Sequence, residues 1–262
     1  CTPGANGAGP HCSNGVALPT QMNQQAFGGA IAAGYEWDHW RVDLGSTPIG
    51  FPITNIVAGA HHTGSIGNAY YSIDVSRRPM PNSFLSYAGT TDPVTNWLWG
   101  GVTYNGGGFY IGSDLVKTDW GTLTGFFQAS GQYIEGTRVK SNAQGMSRTG
   151  VDWNFIDSDD MNLSVGLAGM YLSYANNQRH YTLGYGGYWS PQTYASSSLP
   201  LQISGREGDL SYHLRGYVAY SYSSEQANPL YPINSELQYS ALNQNAYYGS
   251  QSGTAMSYGI RV

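Results

Sequence analysis

The chain has 262 residues, long enough for one large domain or two small ones. Only 10% are charged and the net charge is −5, whereas 14% are aromatic, with 22 Tyr and 36 Gly. Nothing resembles the basic stripe that nucleic acid requires, no apolar run approaches the ~18 residues of a transmembrane helix, and charge is too sparse for an ordinary solvated surface, where about 25% is usual.

Residues 1–25 are rich in Gly, Pro, Asn and Gln without periodicity and read as a linker or loop. Cys1 and Cys12 bracket CTPGANGAGPHC, which an oxidising compartment would close as a disulfide. Free thiols, a metal pair, or lipid attachment at Cys1 are the other readings. With no initiator Met and no signal segment, a mature form or an excised fragment is expected.

From residue 26 to 262 the chain alternates apolar and polar residues between Gly, Asn, Asp and Pro clusters, which predicts strands. HWRVDLG sets Trp40, Val42 and Leu44 opposite Arg41 and Asp43. AYYSIDVSRR sets Tyr71, Ile73 and Val75 opposite Tyr70, Asp74 and Arg78. The run Tyr104 to Gly108 lacks the Lys-Ser/Thr of a phosphate loop and reads as a turn or kink. GTLTGFFQASGQY sets Leu123, Phe127, Ala129 and Tyr133 opposite Thr122, Thr124, Gln128, Ser130 and Gln132. TGVDWNF sets Val151, Trp153 and Phe155 opposite Asp152 and Asn154. MNLSVGLAGMYLSY aligns Leu163, Val165, Leu167 and Tyr171. LSYHLRGYVAYSY sets Leu214, Val218 and Tyr220 opposite His213, Arg215 and Tyr217.

These segments exceed the ~5–6 residues of a mean globular strand and approach the ~9–11 that cross a bilayer. Short turns at 158–160 and 206–209 contrast with a long polar segment at 224–253. An all-β, transmembrane, antiparallel up-and-down β-barrel is therefore expected, with residues 26–262 as the barrel domain. A soluble β-sandwich would use the same alternation but needs a charged outside.

Catalytic signatures are weak. His61 and His62 are adjacent and point to opposite faces of a strand, and no other His has ligand spacing. No G-x-S-x-G elbow occurs, and nothing fixes partners for His213 in an esterase-like arrangement. Arg41, Asp43, Asp74, Arg78, Asp152, His213, Arg215 and Tyr217 remain as an inward polar lining. Such residues facing a wet lumen need no further role, but carboxylates and guanidinium groups also bind sugar hydroxyls. Neither a catalytic residue, a cofactor nor a metal is expected.

Four ordered stretches carry a family resemblance: RVDLGSTPIGFPITNIVAG (41–59), VSRRPMPNSFLSYAG with TDP and WGGV (75–102), LGYGGYWSPQTYASSSLPL (183–201) and NPLYP (228–232). Together they resemble the C-terminal barrel of the outer-membrane component of bacterial cellulose synthase, a family of cellulose-export porins. The resemblance implies a passive, non-enzymatic channel in the outer membrane, through which β-1,4-glucan (cellulose) is pushed by its synthesis. It implies as partners the glucan, membrane lipid, and the periplasmic and inner-membrane components of the synthase. Those components would be met through a helical-repeat region absent from this chain. A pore for another exopolysaccharide is the alternative, an outer-membrane enzyme barrel or a soluble sugar-binding sandwich less so.

Family barrels have about 16 strands, against thirteen or fourteen candidates here, so further C-terminal strands are expected. In such a barrel GYGGYWSPQTY (184–194) would end one strand and begin the next. Tyr181, Leu183 and Tyr185 would then face lipid, with Tyr188 and Trp189 anchored at the interface.

Overall fold

A computed structural model describes residues 24–93, 95–158, 160–242 and 247–261. Cys1 and Cys12, and most of the expected linker, lie outside the described residues. In chain order the elements are β1 (Ala32–Trp37), β2 (Trp40–Ser46), β3 (Ile56–Ile66), β4 (Ala69–Pro79), α1 (Phe84–Ala88), β5 (Thr90–Thr91), β6 (Leu98–Thr118) and β7 (Gly121–Thr137). Then come β8 (Val139–Asp157), β9 (Met161–Tyr174), β10 (Thr193–Glu207), β11 (Leu210–Glu225), β12 (Asn228–Pro229), α2 (Ser235–Leu242), β13 (Tyr247–Tyr248) and β14 (Gln251–Arg261).

The fold is all-β and antiparallel, with up-and-down order. One 12-stranded sheet runs β1-β2-β3-β4-β6-β7-β8-β9-β10-β11-β14, with β5 on β6. Among the described residues β1 and β14 are its two edges. No described helix is long and apolar enough to cross a membrane.

Period-2 alternation sets the register, because a one-residue slip would turn every ring to the opposite face. On one face lie Trp40, Ile73, Phe109, Phe127, Leu167, Leu199, Tyr220 and Tyr258, all strongly exposed. The register confirms a shared face: Phe109 pairs with Ala129 and Ile111 with Phe127. Near one end of this face Arg77 meets Glu135 at 2.8 Å and Asn105 at 2.6 Å, closing the apolar band with charge.

The strands turn tightly at one end, for instance at Gly67, whose φ of +61° a residue with a Cβ adopts only at a cost. At the other end all but the β7–β8 turn are long, and most of the core sits there. Ser83 begins α1 with a capping box: its Oγ accepts from the Ser86 amide at 3.1 Å, and Ser86 Oγ accepts from the Ser83 amide at 2.9 Å.

Two expectations are corrected. Residues 104–108 are neither turn nor kink. They lie inside β6, paired on both sides, with Gly107 opposite Val75 and Gly131. A Cβ on Gly106 or Gly107 would strike neighbouring backbone carbonyls, so these glycines permit close strand approach. The stretch 184–194 is likewise not a strand end in lipid. Residues 175–192 form a loop, β10 begins at Thr193, and Leu183, Tyr185 and Tyr188 are among the most buried side chains. Tyr181 and Trp189 stay exposed. Each fully buried large apolar side chain contributes about 1.5–3 kcal/mol. Folding this aromatic-rich loop onto the sheet is therefore favoured over leaving it extended.

Candidate functional site

The second face of the sheet is polar. Register across the strands places all eight candidate lining residues on it. Asp43 pairs with Gly34 and Gly59, Gly59 with Ser76, and Asp74 with Gly108. Gly108 continues to Ser130, and Asp152 pairs with Thr124 and Gly166. Ser164 pairs with Gln202, Gln202 with Arg215, Ser204 with His213 and Pro200 with Tyr217.

Seven of them form two sectors and not one cluster. Arg41, Asp43, Asp74 and Arg78 line one hollow on β2–β4 together with His61. Arg78 reaches across β3 to grip Asp43 with two hydrogen bonds of 2.5 and 2.6 Å. A paired fork of this kind is the strong form of the interaction. Gly59 lies beneath it, and a Cβ there would collide with the Arg78 guanidinium. His213, Arg215 and Tyr217 lie on β11, where Arg215 Nε donates to Gln202 Oε1 at 3.1 Å. Asp152 stands apart on β8. His62, by contrast, faces the apolar side, 4.5 Å from the Trp40 ring and hydrogen-bonded to Tyr71 at 3.3 Å. The adjacent histidines thus share no site.

Loop 175–192 lies against the polar face at the long-loop end. Arg78, Tyr104, Ile134 and Asn142 form one row across β4, β6, β7 and β8. Tyr188 packs on that row with Met80, Val102 and Ile134, and Asn142 Nδ2 donates to its hydroxyl at 3.2 Å. Trp99 Nε1 donates to the Tyr185 carbonyl at 2.7 Å, and Gln178 Oε1 accepts from the Gly186 amide at 3.0 Å. Buried Glu225 accepts from Arg179 and Asn177, each at 2.9 Å. Residues 229–233 and Tyr248 pack on the loop, with Tyr185 donating to Pro229 O at 2.5 Å and Thr182 to Leu230 O at 2.6 Å. Burial pushes the Tyr185 and Tyr188 phenols upward, so both stay protonated. His180 stacks on Tyr248 at 3.5 Å; burial, aided by the Arg179 charge, lowers its pKa to about 4.

Alternation placed Tyr70 on the polar face but missed the two rings beside it, Tyr110 and Phe126. Tyr70, Tyr110, Phe126 and Arg148 stand on β4, β6, β7 and β8. Tyr70 and Tyr110 centroids are 6.4 Å apart, Tyr110 and Phe126 stack at 6.1 Å, and Arg148 Cζ sits 5.1 Å from the Phe126 centroid. The signal was in GFFQ, since two adjacent Phe in a strand must occupy both faces.

Residues 5–262 match the family model described as Cellulose synthase operon protein C C-terminus. Cellulose synthase operon protein C of Salmonella typhimurium is 33% identical over 239 residues, covering 88% of this chain and 20% of that protein. Cellulose synthase 2 operon protein C of Komagataeibacter xylinus is 35% identical over 224 residues, covering 84% of this chain and 17% of that protein. The chain thus spans about a fifth of the length of these curated relatives. Among solved structures, OmpT, an outer membrane protein of Vibrio cholerae, aligns with 88% of this chain and 62% of its own, at 12% identity and a TM-score of 0.42.

Proposed function

Because this chain belongs to the family of the cellulose synthase operon protein C C-terminus, we propose that it forms the wall of an outer-membrane channel through which β-1,4-glucan leaves the cell. The observation that carries this reading is the two-faced sheet, with one polar and one apolar face held in register over eleven successive strands. Strands of 14–21 residues from β6 to β11 exceed the ~9–11 needed to cross a bilayer. In a bilayer the apolar face meets lipid and the polar face meets water, and the two edges, β1 and β14, require strand partners.

The cargo argument rests on charge. An anionic polymer would favour a basic lumen, whereas here Arg78 is neutralised by Asp43 and the mid-wall is dominated by Gln, Ser and Thr. A neutral, hydroxyl-rich chain fits such a wall. Arg41, Asp74, Asp152, His213, Arg215 and Tyr217 offer it hydrogen bonds. The channel is passive and supplies a path and no chemistry, so synthesis at the inner membrane does the pushing. The periplasmic and inner-membrane components of cellulose synthase are its partners.

Single-channel conductance of the refolded full-length protein in planar bilayers tests this. Cello-oligosaccharides are expected to block it, and charged or amino-sugar oligomers are not. A protein that stays soluble without detergent and never inserts would remove the reading.

A further inference from the structure

Apolar groups interrupt the polar wall, and one of them is a stacked pair of rings. Phe126 presents an apolar ring between Thr124 and Gln128, and Tyr110 stacks beside it with an interplanar angle of 17°. Phe126 is half-buried between Tyr110 and Arg148, and the apolar surface it leaves on a wet face costs free energy. The backbone around both rings is cut away to receive them. A Cβ on Gly150 would lie 2.7 and 2.8 Å from the Phe126 ring, and one on Gly112 would lie 2.8 Å from the Tyr110 hydroxyl. Both rings therefore come close to glycine backbone, where a side chain would collide with them. Tyr70 extends the row on β4 and Arg148 ends it on β8, the guanidinium held at the Phe126 ring.

The pair of rings sets apolar surface on the polar side of the sheet, with Thr124 and Gln128 flanking Phe126 along β7 and the Arg148 guanidinium at its ring. That geometry suits a ligand with a flat apolar face and a polar rim. A β-linked pyranosyl ring has this form, with axial C–H groups on its faces and hydroxyls around its edge. We infer that Tyr110 and Phe126, set between Tyr70 and Arg148, are a stacking subsite that recognises the apolar face of a glucosyl unit in a neutral glucan. The inference deepens the channel reading and rests on it. Because glycine leaves room beneath the rings, they take less of the path than rings over a bulkier backbone, and a moving chain is guided and not trapped.

The test measures current block of the full-length channel by cellohexaose, with polyethylene glycol of similar size as a probe of width alone. Phe126→Ala and Tyr110→Ala should each weaken cellohexaose block roughly three- to tenfold, the range expected for one ring contact. Block by polyethylene glycol should stay unchanged. Phe126→Tyr keeps the stacking face and should retain block, as should Phe127→Leu on the opposite face. Gly150→Ala removes no ring but displaces Phe126 from the wall, and should weaken block as Phe126→Ala does. If both alanine variants block like the wild type, or if both probes change together, the subsite is overturned while the channel reading stands. If wild-type channel conducts but no neutral oligosaccharide blocks it, the channel reading falls and the subsite with it.

Discussion

Replacing Tyr188 by Ala should release loop 175–192 from the polar face. The ring is almost fully buried against Met80, Val102 and Ile134, and its hydroxyl accepts from Asn142. Truncating a buried aromatic costs about 3–5 kcal/mol. The smaller end applies here, because the loop lies at the rim and water can fill the gap. At about 1.4 kcal/mol per decade, the open population of the loop rises by roughly two to three orders of magnitude. Arg179 reports it, since Glu225 pins its side chain in the closed loop. When opening is fast relative to cutting, cleavage tracks the open population, so trypsin cleavage after Arg179 should accelerate by that factor. Tyr188→Phe keeps the packing and leaves Asn142 with Asn176 O as acceptor. It should cost about 1 kcal/mol, a factor of roughly five. Equal cleavage rates for wild type and Tyr188→Ala, with the barrel folded by heat-dependent gel migration, would refute the packing argument.

Gly59→Ala should act through the ion pair above it. Both partners are about a third exposed, at 32% and 28%, so the loss is a modest ~0.5–1 kcal/mol. In a urea titration, Asp43→Asn added to Gly59→Ala should then cost almost nothing more; full additivity would show that the glycine acts elsewhere. The loop should also weaken in acid. With the folded pKa of His180 near 4 against the ordinary 6.5, the unfolded state binds the extra proton between these values. Stability is therefore full above about pH 6.5 and falls as pH drops toward 4, by roughly 2–3 kcal/mol once solvent screening of the half-buried ring is allowed for. Hydrogen exchange of 175–192, corrected for intrinsic rates, should rise across that window in the wild type and stay flat in His180→Gln.

The strands and their faces were legible because their information is local. In a strand every second residue shares a face, so Trp40, Val42 and Leu44 against Arg41 and Asp43 already assigned both sides. Sparse charge and long segments then favoured a lipid-facing outside over a solvated one. The same rule hid Phe126, because a period of two expects polar residues at its position and averages over a single exception. Which rings meet across strands depends on register, and register is a property of pairs: Gly112 with Phe126, Phe126 with Gly150.

Loop 175–192 shows the limit most clearly. Its sequence holds the same tyrosines and glycines as the strands beside it, and nothing local distinguishes a ring bound for lipid from one bound for the core. Only the tertiary structure brings Val102, Ile134 and Asn142 from three strands to where Tyr188 can cover them. Composition and period thus determined a two-faced antiparallel sheet, because solvent acts on each residue separately. The stacked rings, the Asp43–Arg78 pair over Gly59 and the buried loop were decided by packing, which acts on residues that the chain itself keeps far apart.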